Sequence, residues 1–141
     1  MKELILLRRF RAFLTGREEV PPVRTAATGT ANFQLSPDGR QLRFRLVVRN
    51  IARVTQGHIH LGRRGQNGPI VAFLFGPSKF GISVRRGVVQ GVLTNRDLVG
   101  PLQGKTLRDL IREFNNGNAY VNVHTIQRPD GEIRGQVRRL T

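Results

Sequence analysis

Residues 41–49 alternate by parity. Leu42, Phe44, Leu46 and Val48 fall on one side and Gln41, Arg43, Arg45 and Arg49 on the other, with Val47 the exception. A period of two is the mark of a half-buried β-strand. The segment before it alternates in the same way, Ala31, Phe33 and Leu35 against Asn32 and Gln34. Ser36-Pro37-Asp38-Gly39 joins them as a hairpin, Pro pre-setting the bend and Gly taking the positive φ. Pro129-Asp130-Gly131 repeats the device between residues 119–125 and 132–137. Further strands are expected at residues 4–14, 70–75 and 88–93, and around a His-x-His stretch that follows residues 50–55. The run 70–75 is apolar throughout, which suits a strand buried on both faces or lying under a covering loop. One segment has the helical period: Leu107, Leu110, Ile111 and Phe114 form a stripe, Thr106 and Asp109 supply the cap, and Asn116-Gly117 stops it. The pattern predicts an all-β fold, an antiparallel Greek-key sandwich or barrel with one short helix near 106–116 lying on the sheet. The length of 141 residues fits a single domain, 1–141.

The formal net charge is +15, and of 24 basic residues only Lys2, Lys79 and Lys105 are lysine. An arginine-rich surface attracts acidic polymers or an acidic protein partner. With no Trp, one Tyr and no dense basic arm, sequence-specific nucleic-acid binding is not expected. No apolar run approaches the ~20 residues of a membrane span. The first nine residues have too short an apolar core for a secretory signal, and the compartment stays open. The absence of cysteine excludes a disulfide framework and thiolate chemistry. Residues 17–23 contain paired prolines and read as a loop or extended edge. There Glu18 and Glu19 point apart if extended, a poor acid–base pair. The glycines of residues 62–69 lack the lysine-and-threonine ending of a phosphate loop, so that segment reads as a connection.

All three histidines lie in Gly57-His58-Ile59-His60-Leu61-Gly62 and Asn122-Val123-His124-Thr125. On a strand His58 and His60 share a face, and Ile59 and Leu61 share the other. Val121 and Val123 take the apolar side of the second stretch; Tyr120, Asn122 and His124 take the polar side. In one sheet the three imidazoles converge, which makes His58, His60 and His124 a candidate site for Zn²⁺ or Cu²⁺ with a coordination position left open. Tyr120, Asn122, Glu132 and Arg134 are the candidate supporting residues, since each ring needs an acceptor at its other nitrogen. Arg134 reads either as an anion-guiding group beside a metal or as one exposed arginine among many. The alternative for the histidines is a set of half-exposed polar residues that bond loops and each other on a solvated face. No nucleophile–histidine–carboxylate spacing is present, so no catalytic residue is assigned and an enzyme is not expected.

Phe13-Leu14-Thr15-Gly16-Arg17-Glu18-Glu19-Val20-Pro21-Pro22, the His58–His60 stretch, Asn67-Gly68-Pro69-Ile70-Val71, the His124 stretch and Pro129-Asp130-Gly131-Glu132-Ile133-Arg134-Gly135-Gln136 occur in this order. Together they resemble the CHRD domain, the module named from chordin. The resemblance implies a β-sandwich, usually in secreted or surface proteins, that acts as a binding or structural module without established catalysis. A weaker similarity is to copper–zinc superoxide dismutase, by which His58, His60 and His124 would ligate copper in a redox or metal-storage role. No histidine lies between residues 61 and 123 and no cysteine is present, so that family's zinc site and disulfide have no counterpart.

Overall fold

One strand carries the architecture. β3, Leu42–Leu61, spans both the alternating arginine segment and the His-x-His segment. The computed structural model describes residues 8–78 and 81–140. The sequence suggested an interruption at residues 50–55; the chain bends there instead. Asn50 and Arg53 take left-handed φ angles of 53° and 58°, and the register slips between Ile51 and Val54. This is the action of a bulge, which turns a strand without ending it.

The two halves of β3 therefore belong to different parts of one sheet. The first half pairs on one edge with β2, Thr28–Leu35, and on the other with β5, Ile82–Leu93. The second half pairs with β6, Ala119–Thr125, and β4, Ile70–Phe75. β2 pairs with β1, Arg9–Thr15; β1 meets β7, Ile133–Gln136; and β7 pairs with β6. The path leaves one half of β3 and returns to the other, so the antiparallel sheet closes into the expected all-β barrel. β4, β5 and a two-residue β8, Arg138–Arg139, are additions to that ring. Two boundaries differ from the sequence reading. β5 begins at Ile82 rather than Val88, because pairing to the bent part of β3 extends it through a stretch with no clean alternation. The first strand begins at Arg9; the portion expected at residues 4–7 lies outside the described residues.

Inside the barrel the apolar parities meet. Phe10, Leu14, Leu42, Ile59, Val121 and Ile133 are each fully buried. The helix α1, Leu107–Asn115, buries Leu107, Leu110 and Phe114. Phe114 packs its ring 5.1 Å from Phe10 and 5.3 Å from Phe33. Thr106 N–H donates to Asp109 Oδ2 at 2.9 Å, satisfying a donor the first turn leaves free.

The opposite, polar parity of β3, β6 and β7 is not a solvated face. His58 and Arg134 are each 1 % exposed, and Tyr120, Asn122, His124 and Glu132 are buried with them. The loops 16–25, 62–69 and 126–131 roof this face. Asn67 Nδ2 donates to the Val20 carbonyl, Thr25 Oγ1 to Glu132 Oε2, and Gln136 Nε2 to the Gly62 carbonyl. The domain thus holds a buried polar layer beside its apolar core.

Candidate metal centre

His58 and His60 stand on the second half of β3, and His124 on β6 directly beside it. The register places Gln56 opposite His124 and His58 opposite Asn122. One ring nitrogen from each histidine lies within 4.8 Å of the others. The rings touch edge to face, with centroids 5.4 Å apart for His58 and His60 and 4.7 Å for His58 and His124. Phe73 of β4 closes the outer side of His58, its centroid 4.6 Å away.

Each ring spends one nitrogen on an oxygen outside the cluster. His58 Nε2 meets Gln56 Oε1 at 2.9 Å, His60 Nδ1 meets the Gly68 carbonyl at 2.8 Å, and His124 Nδ1 meets the Pro129 carbonyl at 2.7 Å. A carbonyl oxygen only accepts, so it fixes the proton on the nitrogen facing it. The remaining nitrogens carry lone pairs. Nδ1 of His58 and Nε2 of His60 are buried with no hydrogen-bond partner. Nε2 of His124 is met only by the Asn122 side-chain amide, at 3.0 Å. The amide turns its Oδ1 to this nitrogen and its Nδ2 toward Gly131; a lone pair on Nε2 requires the reverse orientation, which the near-symmetric outline of the amide allows.

Burial holds all three imidazoles neutral. Desolvation, followed by the neighbouring His124 and His60, pushes His58 down from 6.5 to about 3. Desolvation also lowers His60 and His124, although the bonds to the Gly68 and Pro129 carbonyls oppose it. Neutral imidazole is the form that ligates.

The expected supporting residues divide. Tyr120 stacks on His60, its ring 4.8 Å away and 9° from parallel, and its hydroxyl accepts from Gly68 N–H at 3.0 Å. Tyr120 thereby positions both the ring and the loop whose carbonyl holds it. Asn122 touches His124 as described. Arg134 lies 3.4 Å above the other face of Tyr120 and donates to Asn67 Oδ1 and to the Arg63 and Gln66 carbonyls. It braces the roof from beneath; being buried, it presents no guanidinium to an incoming anion. Glu132 accepts from Thr25, Thr125 and Gln127, and its recorded bonds reach none of the imidazoles.

Three participants were missed by sequence reasoning. Gly68 and Pro129 act through backbone carbonyls, which leave no residue-type signal. Gln56 offered one: it has the same parity as His58 and precedes it by two. Glu19, set aside as half of a poor pair, is 5 % exposed, and its Oε2 lacks a partner. A Cβ added at Gly131 would come 2.5 Å from that oxygen and 2.8 Å from Asn122 Nδ2, so carboxylate and amide meet over this glycine. Burial drives Glu19 up from 4.5 to about 7 against the pull of Arg134. Glu18 does point apart from it, onto Arg64 at the surface.

The sequence over residues 10–137 matches the family model described as the CHRD domain. No curated protein matches the chain.

Proposed function

The chain belongs to the CHRD domain family, and from that premise we propose that it is a non-catalytic binding or structural module carrying a mononuclear copper or zinc site on His58, His60 and His124. The observation that carries the metal reading is the convergence of unpartnered lone pairs. Three rings are oriented by oxygen acceptors, each offers a nitrogen to one cluster, and Nδ1 of His58 and Nε2 of His60 are buried with no hydrogen-bond partner. Histidines that served only to hold loops would have little reason to leave those nitrogens orphaned in a sealed layer, because an unsatisfied buried polar atom is destabilising. Acceptors at the far nitrogens are the usual arrangement around metal-bound imidazole.

Nitrogens bonded at ~2.1 Å to one tetrahedral metal lie ~3.4 Å from one another. Against separations of up to 4.8 Å here, loading would draw each ring inward by up to roughly 0.8 Å. Asn122 must also release His124 Nε2. Zinc would fasten β3 to β6 and leave a position for water or an outside ligand; copper would add one-electron chemistry. The chain's own residues set tautomers, exclude solvent and keep the rings neutral.

Calorimetric titration of the purified protein with Cu²⁺ and Zn²⁺ at neutral pH tests this. One equivalent should bind more tightly than ~10 μM, the scale of incidental surface histidines. His60→Ala should lose that binding while keeping the circular dichroism of the wild type. Absence of binding at that affinity by either metal ends the proposal.

A further inference from the structure

Outside the polar layer, the strongest feature is the outer face of the sheet formed by β1, β2, the first half of β3, and β5. Register places its side chains in two rows across the strands. Arg11 pairs with Asn32, Asn32 with Arg45, and Arg45 with Gln90. One step along the same parity, Arg9 pairs with Gln34 and Gln34 with Arg43. Neighbouring strands lie ~4.8 Å apart and residues two along a strand ~6.6 Å apart. The four arginines thus form a grid of ~10 by ~7 Å with amide side chains between them. A cleft of about 610 Å³ runs over this grid, and among the described residues no Asp or Glu lines it.

The charge is also uncompensated. Among the described residues the ion pairs are Arg64–Glu18 and Arg112–Asp109, neither of them in the cleft. Asp97 and Asp109 are spent capping helical turns, and Glu19 and Glu132 are buried under the roof. Arg11 Nε donates to Asn32 Oδ1 at 2.8 Å, which holds one guanidinium fixed with its other donors free to face outward.

We propose that this groove binds a linear anionic polysaccharide, its sulfate or carboxylate groups held by Arg9, Arg11, Arg43 and Arg45. Guanidinium forks match such oxyanions in two-pronged fashion, and the intervening amides suit hydroxyls as donors and acceptors. One exposed ring borders the groove: Phe13, 65 % exposed, with the Arg11 guanidinium 5.8 Å from its centroid. A single apolar plane serves a sugar ring, whereas single-stranded nucleic acid is held by several rings on which successive bases stack. This reading uses none of the residues of the histidine cluster and goes beyond the metal proposal.

The test is fluorescence anisotropy of the full chain with a labelled heparin oligosaccharide and with single-stranded DNA of equal charge. Arg43→Gln/Arg45→Gln is compared with Arg96→Gln/Arg108→Gln, which removes the same charge from exposed positions outside the groove. The groove variant should lose at least ~10-fold in heparin affinity, and its salt dependence should flatten by roughly one unit of slope per arginine. The control variant should lose under ~3-fold, and both should melt like the wild type. Equal losses in the two variants would reduce the effect to net charge and overturn the groove. Tighter binding of DNA than of heparin would assign the face to nucleic acid instead, and no binding of heparin by the wild type would end the proposal outright.

Discussion

Replacing Glu19 by Gln should stabilise the metal-free protein, by an amount that depends on pH. Burial raises this carboxyl from 4.5 to about 7 even with Arg134 nearby. Between those values the unfolded chain has released the proton and the folded chain still holds it. Stability therefore falls as pH rises through this window and levels off above it, since stability rises with pH only where the unfolded state binds more protons. A displacement of about 2.5 units, at 1.36 kcal/mol each, makes the ionised carboxylate roughly 3 kcal/mol destabilising above pH 7. Gln has the shape of the protonated acid and nothing to ionise. Urea unfolding of both proteins at about pH 4.5, 6 and 8 should show near-equal stability at the first and Gln ahead by ~2–3 kcal/mol at the last. A difference that does not change with pH would refute the reasoning, because a packing or hydrogen-bond effect of the amide carries no proton linkage.

The histidines act in the opposite sense. Their folded-state values lie below 6.5, so metal-free stability should decline as pH drops beneath that value toward about 3. In a thermal melt series of the Glu19→Gln protein that decline should be plain. By the same shifts, bound copper or zinc should persist to lower pH than at ordinary imidazoles; release already complete near pH 6 would count against buried, neutral ligands. Gly131→Ala places a methyl against Glu19 Oε2 and Asn122 Nδ2 at a φ of 121°. It should destabilise by ~2 kcal/mol or more through strain and crowding, read by chemical denaturation. Phe114→Ala should cost ~3–5 kcal/mol by leaving a cavity against Phe10 and Phe33. A loss under ~1 kcal/mol would mean that the helix is not docked there.

Local pattern determined a good deal of this protein. The parity of Leu42, Phe44, Leu46 and Val48 names the core side of β3, and the stripe through Leu107, Leu110 and Phe114 names the buried side of α1. These follow from the repeat of strand and helix, which is a property of neighbours in the chain. The convergence of His58, His60 and His124 needed only parity and the pairing of two strands. What parity could not decide was what lies above each face. Both halves of β3 carry polar side chains on the face away from the core, yet Arg43 and Arg45 stand in solvent while His58 and His60 are sealed. The difference is made by the bend at Asn50 and Arg53, which sends the second half of the strand beneath three loops from distant parts of the chain. Backbone carbonyls of two of those loops then set the tautomers of two of the rings. Desolvation under the roof lowers the histidines and raises Glu19. Both effects depend on what packs above the sheet, a relation between segments far apart in sequence that only the tertiary structure fixes.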